Sequence, residues 1–129
     1  LFINCFQDYN ADKAANKNSW VVKLAGPGDK ANYRKPFSIW KGMMITSFLL
    51  IVGASLYAQN YFTLIALIPL LIFNFASKKG SEWLIQWEKE DANLQQLPYE
   101  LLIVNVSTIG IHFLTGVLLT IGVLLSVWI

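Results

Sequence analysis

Three long apolar stretches constrain the fold of this chain more than any other feature. They cover residues 39–58, 61–77 and 101–127, and each is near the length of about 17–25 residues with which a helix crosses a bilayer. Apolar residues make up 55% of the 129 residues, and charged residues only 14%. This composition excludes an ordinary soluble domain, because so much apolar surface needs lipid or another membrane protein to cover it. The sequence therefore predicts an all-α, multi-span transmembrane helical bundle.

Positive charge is concentrated before and at the start of the first apolar stretch. The basic residues there are Lys13, Lys17, Lys23, Lys30, Arg34, Lys35 and Lys41. The link between the first two stretches, at Gln59 and Asn60, carries no charge, whereas the next link begins with Lys78 and Lys79. Because basic loops stay on the cytoplasmic side of a membrane, we expect the N-terminal region and residues 78–100 to be cytoplasmic. The uncharged turn and the C-terminus are then outside.

Prolines and one tryptophan predict where the helices begin and bend. Pro36 suits the first turn of a helix, where its missing N–H costs nothing. Pro69 predicts a kink within the second stretch. Trp40, just inside the first stretch, fits the aromatic belt at a membrane interface.

Residues 78–100 combine charged and apolar side chains at helical spacing. This pattern predicts a short amphipathic helix on the membrane surface. Trp83 and Trp87 would anchor it at the interface, and the segment would lie on the same side as the N-terminal region, where it could act as a lid.

One histidine and two asparagines lie inside the predicted spans. His112 is the only histidine, and an ionisable group inside a membrane suggests a functional role. For His112, as for Asn74 and Asn105, hydrogen bonds between helices are the simpler interpretation.

A pair of carboxylates precedes the first stretch. Asp8 and Asp12 are four residues apart, so on a helix they share one face. Mg²⁺ commonly binds one or two carboxylates together with substrate phosphates. Lys13 and Lys17 place positive charge beside the pair, which suits a leaving group that departs with more negative charge. The same spacing is also typical of a solvated helix end, and these residues alone leave both interpretations open.

The residues around this pair resemble the second aspartate-rich motif of the UbiA superfamily of intramembrane prenyltransferases. That motif has the form N-x-x-x-D-x-x-x-D-(K/R)-x-x-G-K-x-(T/S)-x-x-V-(R/K)-L-G. The matching residues are Asn4, Asp8, Asp12, Lys13, Lys17, Ser19, Val22, Lys23 and Leu24. The chain departs from the motif at Asn16, where the family usually has glycine, and at Ala25, which precedes Gly26. Asparagine tolerates a left-handed backbone better than most residues, so we expect the turn at Asn16 to survive.

The resemblance extends over essentially the whole chain and implies a function. Residues 1–129 would be the C-terminal part of one transmembrane prenyltransferase domain, whose first aspartate-rich motif lies earlier in a longer protein. Such an enzyme transfers a prenyl group from a prenyl diphosphate to a small aromatic acceptor within the membrane, with Mg²⁺ as cofactor. Asp8 and Asp12 would be the catalytic residues and would bind Mg²⁺ through the diphosphate. The residues that would bind substrate are Asn4, Tyr9, Lys13 and Lys17.

The motif is most similar to that of the 1,4-dihydroxy-2-naphthoate prenyltransferases, which implies a step in menaquinone-type quinone biosynthesis. Because half of the metal site would be absent, we expect the 129-residue piece to be inactive alone. The alternative hypothesis is a non-catalytic three-span accessory subunit of a membrane complex, in which Asp8 and Asp12 are only solvated residues at the surface. A first aspartate-rich motif encoded upstream of Leu1 would favour the enzyme, and a start codon immediately before it would favour the subunit.

Overall fold

The computed structural model describes residues 2–26, 32–89 and 100–128, and every regular element in these ranges is helical. A 3₁₀ helix, Phe2–Phe6, precedes α1 (Tyr9–Ala14) and α2 (Trp20–Ala25). The long elements are α3 (Arg34–Tyr57), a second 3₁₀ helix (Tyr61–Leu67) that leads into α4 (Leu70–Glu88), and α5 (Leu102–Trp128).

Three helical segments are long and apolar enough to cross a membrane. They are Arg34–Tyr57, Tyr61–Glu88 and Leu102–Trp128. Their outward surfaces are strongly apolar: on α5, for example, Phe113 is 69% exposed and Val127 is 79% exposed. So many exposed apolar side chains on neighbouring turns need lipid around them. The chain is an all-α membrane bundle, as predicted.

Two polar contacts show the relative directions of the long helices. Arg34 at the start of α3 forms a two-pronged ion pair with Glu88 at the end of α4, with its Nη2 2.6 Å from Oε2. At the other end of the molecule, Asn60 Nδ2 donates to Ser126 Oγ near the end of α5, at 2.9 Å. The α3 segment and the segment that follows it are therefore antiparallel. The bundle has a charged end, which carries Arg34 and Glu88, and an uncharged end, which carries Asn60.

A tight turn joins α3 to the next segment, as the sequence predicts. The N–H of Gln59 donates to Leu56 O at 3.2 Å and the N–H of Asn60 donates to Ser55 O at 3.0 Å. Gln59 has φ of +52°, so this is a Schellman motif with glutamine at the left-handed position that usually favours glycine. The last carbonyls of α3 are thereby satisfied.

The two prolines lie at positions for which the sequence predicts a helix start, at Pro36, and a kink, at Pro69. Pro36 is in the first turn of α3. Pro69 immediately precedes α4, at the point where the second 3₁₀ helix changes to an α-helix. The irregularity predicted for the second span is this change of helix type, since proline has no N–H to donate to the preceding turn.

The prediction of a separate surface helix after residue 77 was wrong for the described residues. Helix α4 continues without interruption from Leu70 to Glu88, so its charged part extends the axis of the span. Gly80 does not end the helix. It provides space for the Phe37 ring, which lies where a Cβ on Gly80 would be. Residues 90–99, with the predicted end of the surface helix at Pro98, lie outside the described residues.

The tryptophans predicted for the membrane interface are buried instead. Trp40, Trp83 and Trp87 are all less than 5% exposed. Trp40 packs on Phe37 and Phe73, with ring centroids 5.2 and 5.8 Å away. Hydropathy could not show this, because an indole can bury its apolar ring equally well against protein or at the interface.

Within the described residues, His112, Asn74 and Asn105 do not make the predicted hydrogen bonds between helices. The Nδ1 of His112 is 2.7 Å from Thr108 O, a contact within α5. Asn105 is buried, and its Oδ1 has no hydrogen-bond partner among the described residues. Asn74 is exposed.

Candidate functional site

The carboxylate pair lies at the start of α1, at the charged end of the bundle. Asp8 precedes the helix and Asp12 follows one turn later, with the Asp12 N–H donating to Asp8 O at 2.7 Å. Asp8 is exposed, and its carboxylate makes no hydrogen bond or ion pair with the described residues. Asp12 is 6% exposed and accepts from Lys17 Nζ, which lies 3.1 Å from its Oδ1. One carboxylate is therefore free and the other is paired.

The end of α1 explains why Lys17 reaches Asp12. The N–H of Asn16 donates to Lys13 O at 3.2 Å, and the N–H of Lys17 donates to Asp12 O at 2.8 Å. Asn16 has φ of +52°, which completes a Schellman motif. The chain turns back on itself here, so the Lys17 ammonium returns to the carboxylate one helical turn earlier. The expectation that asparagine would preserve this turn is confirmed.

The ion pair moves the pKa of each partner further from neutrality. The hydrogen bond from Lys17 lowers the pKa of Asp12 below its usual value and outweighs the opposing effect of burial. The hydrogen bond to Asp12 in turn raises the pKa of Lys17. An ionised carboxylate is the form that binds a divalent cation.

A basic cleft of about 420 Å³ opens beside α1 and α2, and we call it the lysine cleft. Its lining residues are Lys13, Asn16, Lys17, Asn18, Val22, Lys23 and Gly26. The volume lies within the range of about 300–1,000 Å³ that is typical of small-molecule sites. Three ammonium groups and two amides give it the chemistry of an anion site. Its lining also includes Lys23 and Asn18, which the sequence analysis did not select as site residues, although Lys23 is part of the motif.

Asn4 and Tyr9, the other two predicted site residues, have mainly structural contacts in this structure. The Asn4 carbonyl accepts from the N–H groups of Gln7 and Asp8, at 3.0 and 3.3 Å, and so sets the entry into α1. Its side-chain Oδ1 is buried without a partner among the described residues. Tyr9 is buried and donates through its hydroxyl to Gly26 O at 3.2 Å. Neither side chain lines the lysine cleft.

Five aromatic rings attach this segment to the long helices, and we call them the aromatic cluster. They are Phe6, Tyr9, Tyr33, Trp83 and Trp87. Tyr33 lies at the centre, 5.3 Å from Phe6 and 4.7 Å from Trp87 between ring centroids, and its hydroxyl donates to Phe6 O at 3.3 Å. Burial raises the pKa of Tyr33, so its hydroxyl stays neutral. The cluster fixes the carboxylate pair relative to α3 and α4.

The donors at this site fit Mg²⁺ bound through a phosphate better than a metal held by protein ligands alone. Within the described residues there is no group of three or more histidine, cysteine, aspartate or glutamate side chains that could enclose an ion. Asp8 and Asp12 offer two carboxylates at most, and the lysines beside them would repel a bare cation. Mg²⁺ typically binds with one or two carboxylates, several waters and substrate phosphates.

Comparison with known proteins identifies no relative: no family model, curated protein or solved structure matches the chain.

Proposed function

We propose that this protein is a Mg²⁺-dependent intramembrane prenyltransferase that transfers a prenyl group from a prenyl diphosphate to a small aromatic acceptor. The observation that carries the proposal is the position of Asp8 and Asp12, one helical turn apart and beside a cleft with three lysines. This combination suits a diphosphate with its metal ion and is much more specific than two carboxylates alone. The resemblance of the motif to the UbiA superfamily supports the same function, in quinone biosynthesis, with 1,4-dihydroxy-2-naphthoate as the acceptor.

The carboxylate pair and the lysines of the cleft would perform the binding and the charge stabilisation. Asp8 and Asp12 would hold Mg²⁺, which when bound offsets the charge that grows on the diphosphate as its bond to the prenyl carbon breaks. Lys13, Lys17 and Lys23 would donate hydrogen bonds to the phosphate oxygens and stabilise the departing diphosphate. The allylic cation that remains is attacked by a ring carbon of the acceptor, which then loses its proton.

The difference in charge between the two ends of the bundle supports a multi-pass protein whose candidate site faces the cytoplasm. The charged end carries α1, α2, Arg34 and Lys35, whereas the turn from Ala58 to Asn60 at the opposite end is uncharged. The positive-inside rule favours a cytoplasmic charged end. A diphosphate could then enter the lysine cleft from the cytoplasm while its prenyl chain stays in the lipid. We further propose that the remaining part of the same enzyme supplies the first aspartate-rich motif.

The test is the transfer of radiolabelled farnesyl or geranylgeranyl diphosphate to a panel of aromatic acceptors by the full-length protein, with Mg²⁺ and with EDTA. We expect Mg²⁺-dependent transfer that Asp8→Asn and Asp12→Asn each abolish. Glu82→Gln is the matched control, because this carboxylate pairs with Lys79 on α4 and should leave transfer unchanged. Transfer that is indifferent to both aspartates, or no transfer to any acceptor, would favour the accessory subunit.

Lys23 provides a separate test of the cleft. Loss of one charge-assisted hydrogen bond to phosphate should raise the KM for the prenyl diphosphate about tenfold or more in Lys23→Gln. Lys35→Gln is the control, because Lys35 is exposed and does not line the cleft. Equal KM values for the two variants would mean that the diphosphate binds elsewhere.

A further inference from the structure

Four exposed aromatic rings lie at the uncharged end of the bundle, and we call them the end rings. They are Tyr57, Tyr61, Phe62 and Trp128, whose exposed fractions are 95%, 63%, 40% and 86%. The first three flank the tight turn after α3. The hydrogen bond from Asn60 to Ser126 brings the end of α5 beside that turn, so Trp128 belongs to the same end of the molecule.

The end rings do not belong to the core. None of them packs on another aromatic ring of the described residues. The tryptophans of α3 and α4 are buried instead, with Trp40, Trp83 and Trp87 all less than 5% exposed. So many large exposed rings at one end of a protein mark a surface that contacts something other than water.

The chemistry of these side chains indicates what they contact. Tyrosine and tryptophan combine an apolar ring with one polar group, so they concentrate where hydrocarbon meets the headgroups of a bilayer. Charge cannot attract this end to a lipid, because residues 42–77 and 101–129 contain no aspartate, glutamate, lysine or arginine. The rings themselves must therefore make the contact.

The length of chain between the end rings and the first charges matches the thickness of a bilayer core. That core is about 30 Å thick, which corresponds to about 20 residues of α-helix. Along α3 this length leads from Tyr57 back to Phe37, just after Lys35. Along the next segment, the 3₁₀ helix that starts at Tyr61 contributes about 14 Å, and the remaining distance of about 16 Å leads to Lys78.

Contacts between the two segments show that these positions lie at one level. The Phe37 ring lies where a Cβ on Gly80 would be, one helical turn or less from Lys78. Lys41 starts within the measured length of α3, but its ammonium reaches Ser81 Oγ at 2.8 Å. A lysine whose stem lies in hydrocarbon and whose charge reaches the interface behaves in this way.

We propose that the end rings anchor the protein in the headgroup layer of a lipid bilayer, with hydrocarbon extending from them to the level of Phe37 and Lys78. The partner is a lipid without net charge, since this end offers no charge to a headgroup. A second protein chain could also cover the rings, but it would not explain why two segments reach their first charges one core thickness away. None of these residues lines the lysine cleft, so the anchor does not depend on the proposed function.

The test measures the depth of Trp128 in a bilayer. The protein would be labelled with fluorotryptophan, placed in phosphatidylcholine nanodiscs and followed by fluorine NMR, with Trp128→Phe to assign the resonance among the five tryptophans. Three paramagnetic agents would be compared: a lipid with a nitroxide near its headgroup, a lipid with a nitroxide at the end of its chain, and a water-soluble gadolinium chelate. The buried tryptophans show the unspecific broadening.

Two labelled cysteines measure the rest of the span. With Cys5 replaced by serine, a trifluoromethyl label would be attached to Thr46→Cys or to Lys78→Cys. Thr46 lies about 16 Å along α3 from Tyr57, near the middle of the proposed core, and Lys78 lies at its boundary. Both side chains are exposed, so the substitutions should leave the fold intact.

We expect the headgroup nitroxide to broaden Trp128 and the Lys78→Cys label more than the chain-end nitroxide does, and the reverse order for Thr46→Cys. Replacing part of the phosphatidylcholine with phosphatidylglycerol should leave the Trp128 result unchanged.

Four results would overturn the proposal. Broadening of Trp128 by the gadolinium chelate alone would place the end rings in water, and broadening by no agent would indicate a covering protein chain. Stronger broadening of Trp128 or of the Lys78→Cys label by the chain-end nitroxide would place that residue inside the hydrocarbon. A Trp128 depth that depends on phosphatidylglycerol would contradict an uncharged lipid partner.

Discussion

Two glycines of α5, six residues apart, should respond in opposite ways to the same substitution. A Cβ on Gly122 would lie 2.7 Å from Phe62 O and 2.7 Å from the Thr63 Cα, whereas a Cβ on Gly116 would have no described atom within 4 Å. Ordinary contacts of a Cβ are about 3.4–4 Å, so Gly122→Ala must push α5 and the second 3₁₀ helix apart by about 0.7 Å or more. Gly116→Ala meets no such obstacle.

The magnitude follows from two opposing effects. Alanine in place of glycine inside a helix gains about 0.5–1 kcal/mol, and we expect this gain in Gly116→Ala. Overpacking costs about 1–3 kcal/mol. The atoms that obstruct Gly122 are backbone atoms beside Thr63, whose hydroxyl is bonded to Asn60 O and to Ser55, both at 2.6 Å, so they cannot rotate away. We therefore expect a net loss of about 1–2 kcal/mol for Gly122→Ala.

The difference between the two variants is the informative quantity, because the helix propensity is common to both and cancels. Unfolding would be followed by far-UV circular dichroism in mixed micelles of dodecyl maltoside with increasing dodecyl sulfate. Gly122→Ala should be less stable than Gly116→Ala by about 1–3 kcal/mol. If Gly122→Ala were equally stable, α5 would not pack on the second 3₁₀ helix as described, and the packing argument would be refuted.

Three further predictions follow from other parts of the chain. Gln59→Gly should raise the free energy of unfolding by about 1 kcal/mol, because glycine adopts the left-handed backbone without strain; no gain in the same unfolding experiment would contradict the turn geometry. In Lys17→Met the pKa of Asp12 should rise, as measured by NMR titration of its side-chain carbon. Because the folded-state pKa of Asp12 lies below its unfolded value, the ion pair stabilises α1 at neutral pH. This stabilisation is lost as the pH falls below about 4 and through the folded-state pKa. The protection of the Lys17 amide proton, measured as its exchange rate relative to the intrinsic rate at the same pH, should therefore fall there, and protection that does not change with pH would refute the pairing. In a cysteine-free background expressed in a bacterial inner membrane, a membrane-impermeant maleimide should label Ala58→Cys in intact cells but Asn18→Cys only after permeabilisation, and the reverse pattern would invert the proposed orientation.

The number of long helical segments and the turn between the first two were predictable because their signals are local. Apolar length indicated three spans, Pro36 and Pro69 lie where helical geometry starts or changes, and the uncharged link at Gln59 is a tight turn. The turn at Asn16 was also predictable, since only a few residue types adopt a left-handed backbone without large cost. Each of these features depends on the residue itself and its immediate neighbours.

The features that could not be predicted depend on residues distant in sequence. Trp83 and Trp87 have the spacing of a surface helix, and only the positions of Phe6 and Tyr33 show that they are buried. The sequence gives no sign that Gly80 makes room for the Phe37 ring, which comes from another helix. The third lysine of the cleft, Lys23, comes from α2, and its position beside Lys13 and Lys17 depends on the turn between α1 and α2.

Spacing and resemblance identified the carboxylate pair itself, but they did not predict the exposure and ion pairing of each carboxylate. Spacing placed Asp8 and Asp12 on one face and treated them as equivalent. In the structure Asp8 is exposed and free of ion pairs, whereas Asp12 is buried against Lys17. That asymmetry arises from the hydrogen bonds that end α1, which no pattern of carboxylates encodes.

The length of the second spanning segment sets the height of the charged end above the membrane. At about 2.0 Å per residue for the 3₁₀ helix and 1.5 Å for the α-helix, the segment from Tyr61 to Glu88 is about 45 Å long. The hydrocarbon core is about 30 Å thick, and a tilt of nearly 50° would be needed to fit the whole segment inside it. That exceeds the tilts of about 0–40° seen for membrane helices. Part of the segment must therefore extend beyond the hydrocarbon core, by about 5 Å at a tilt of 40° and by about 15 Å with no tilt. The charged last turns of α4, which carry Trp83 and Trp87 of the aromatic cluster, are the part best suited to do so.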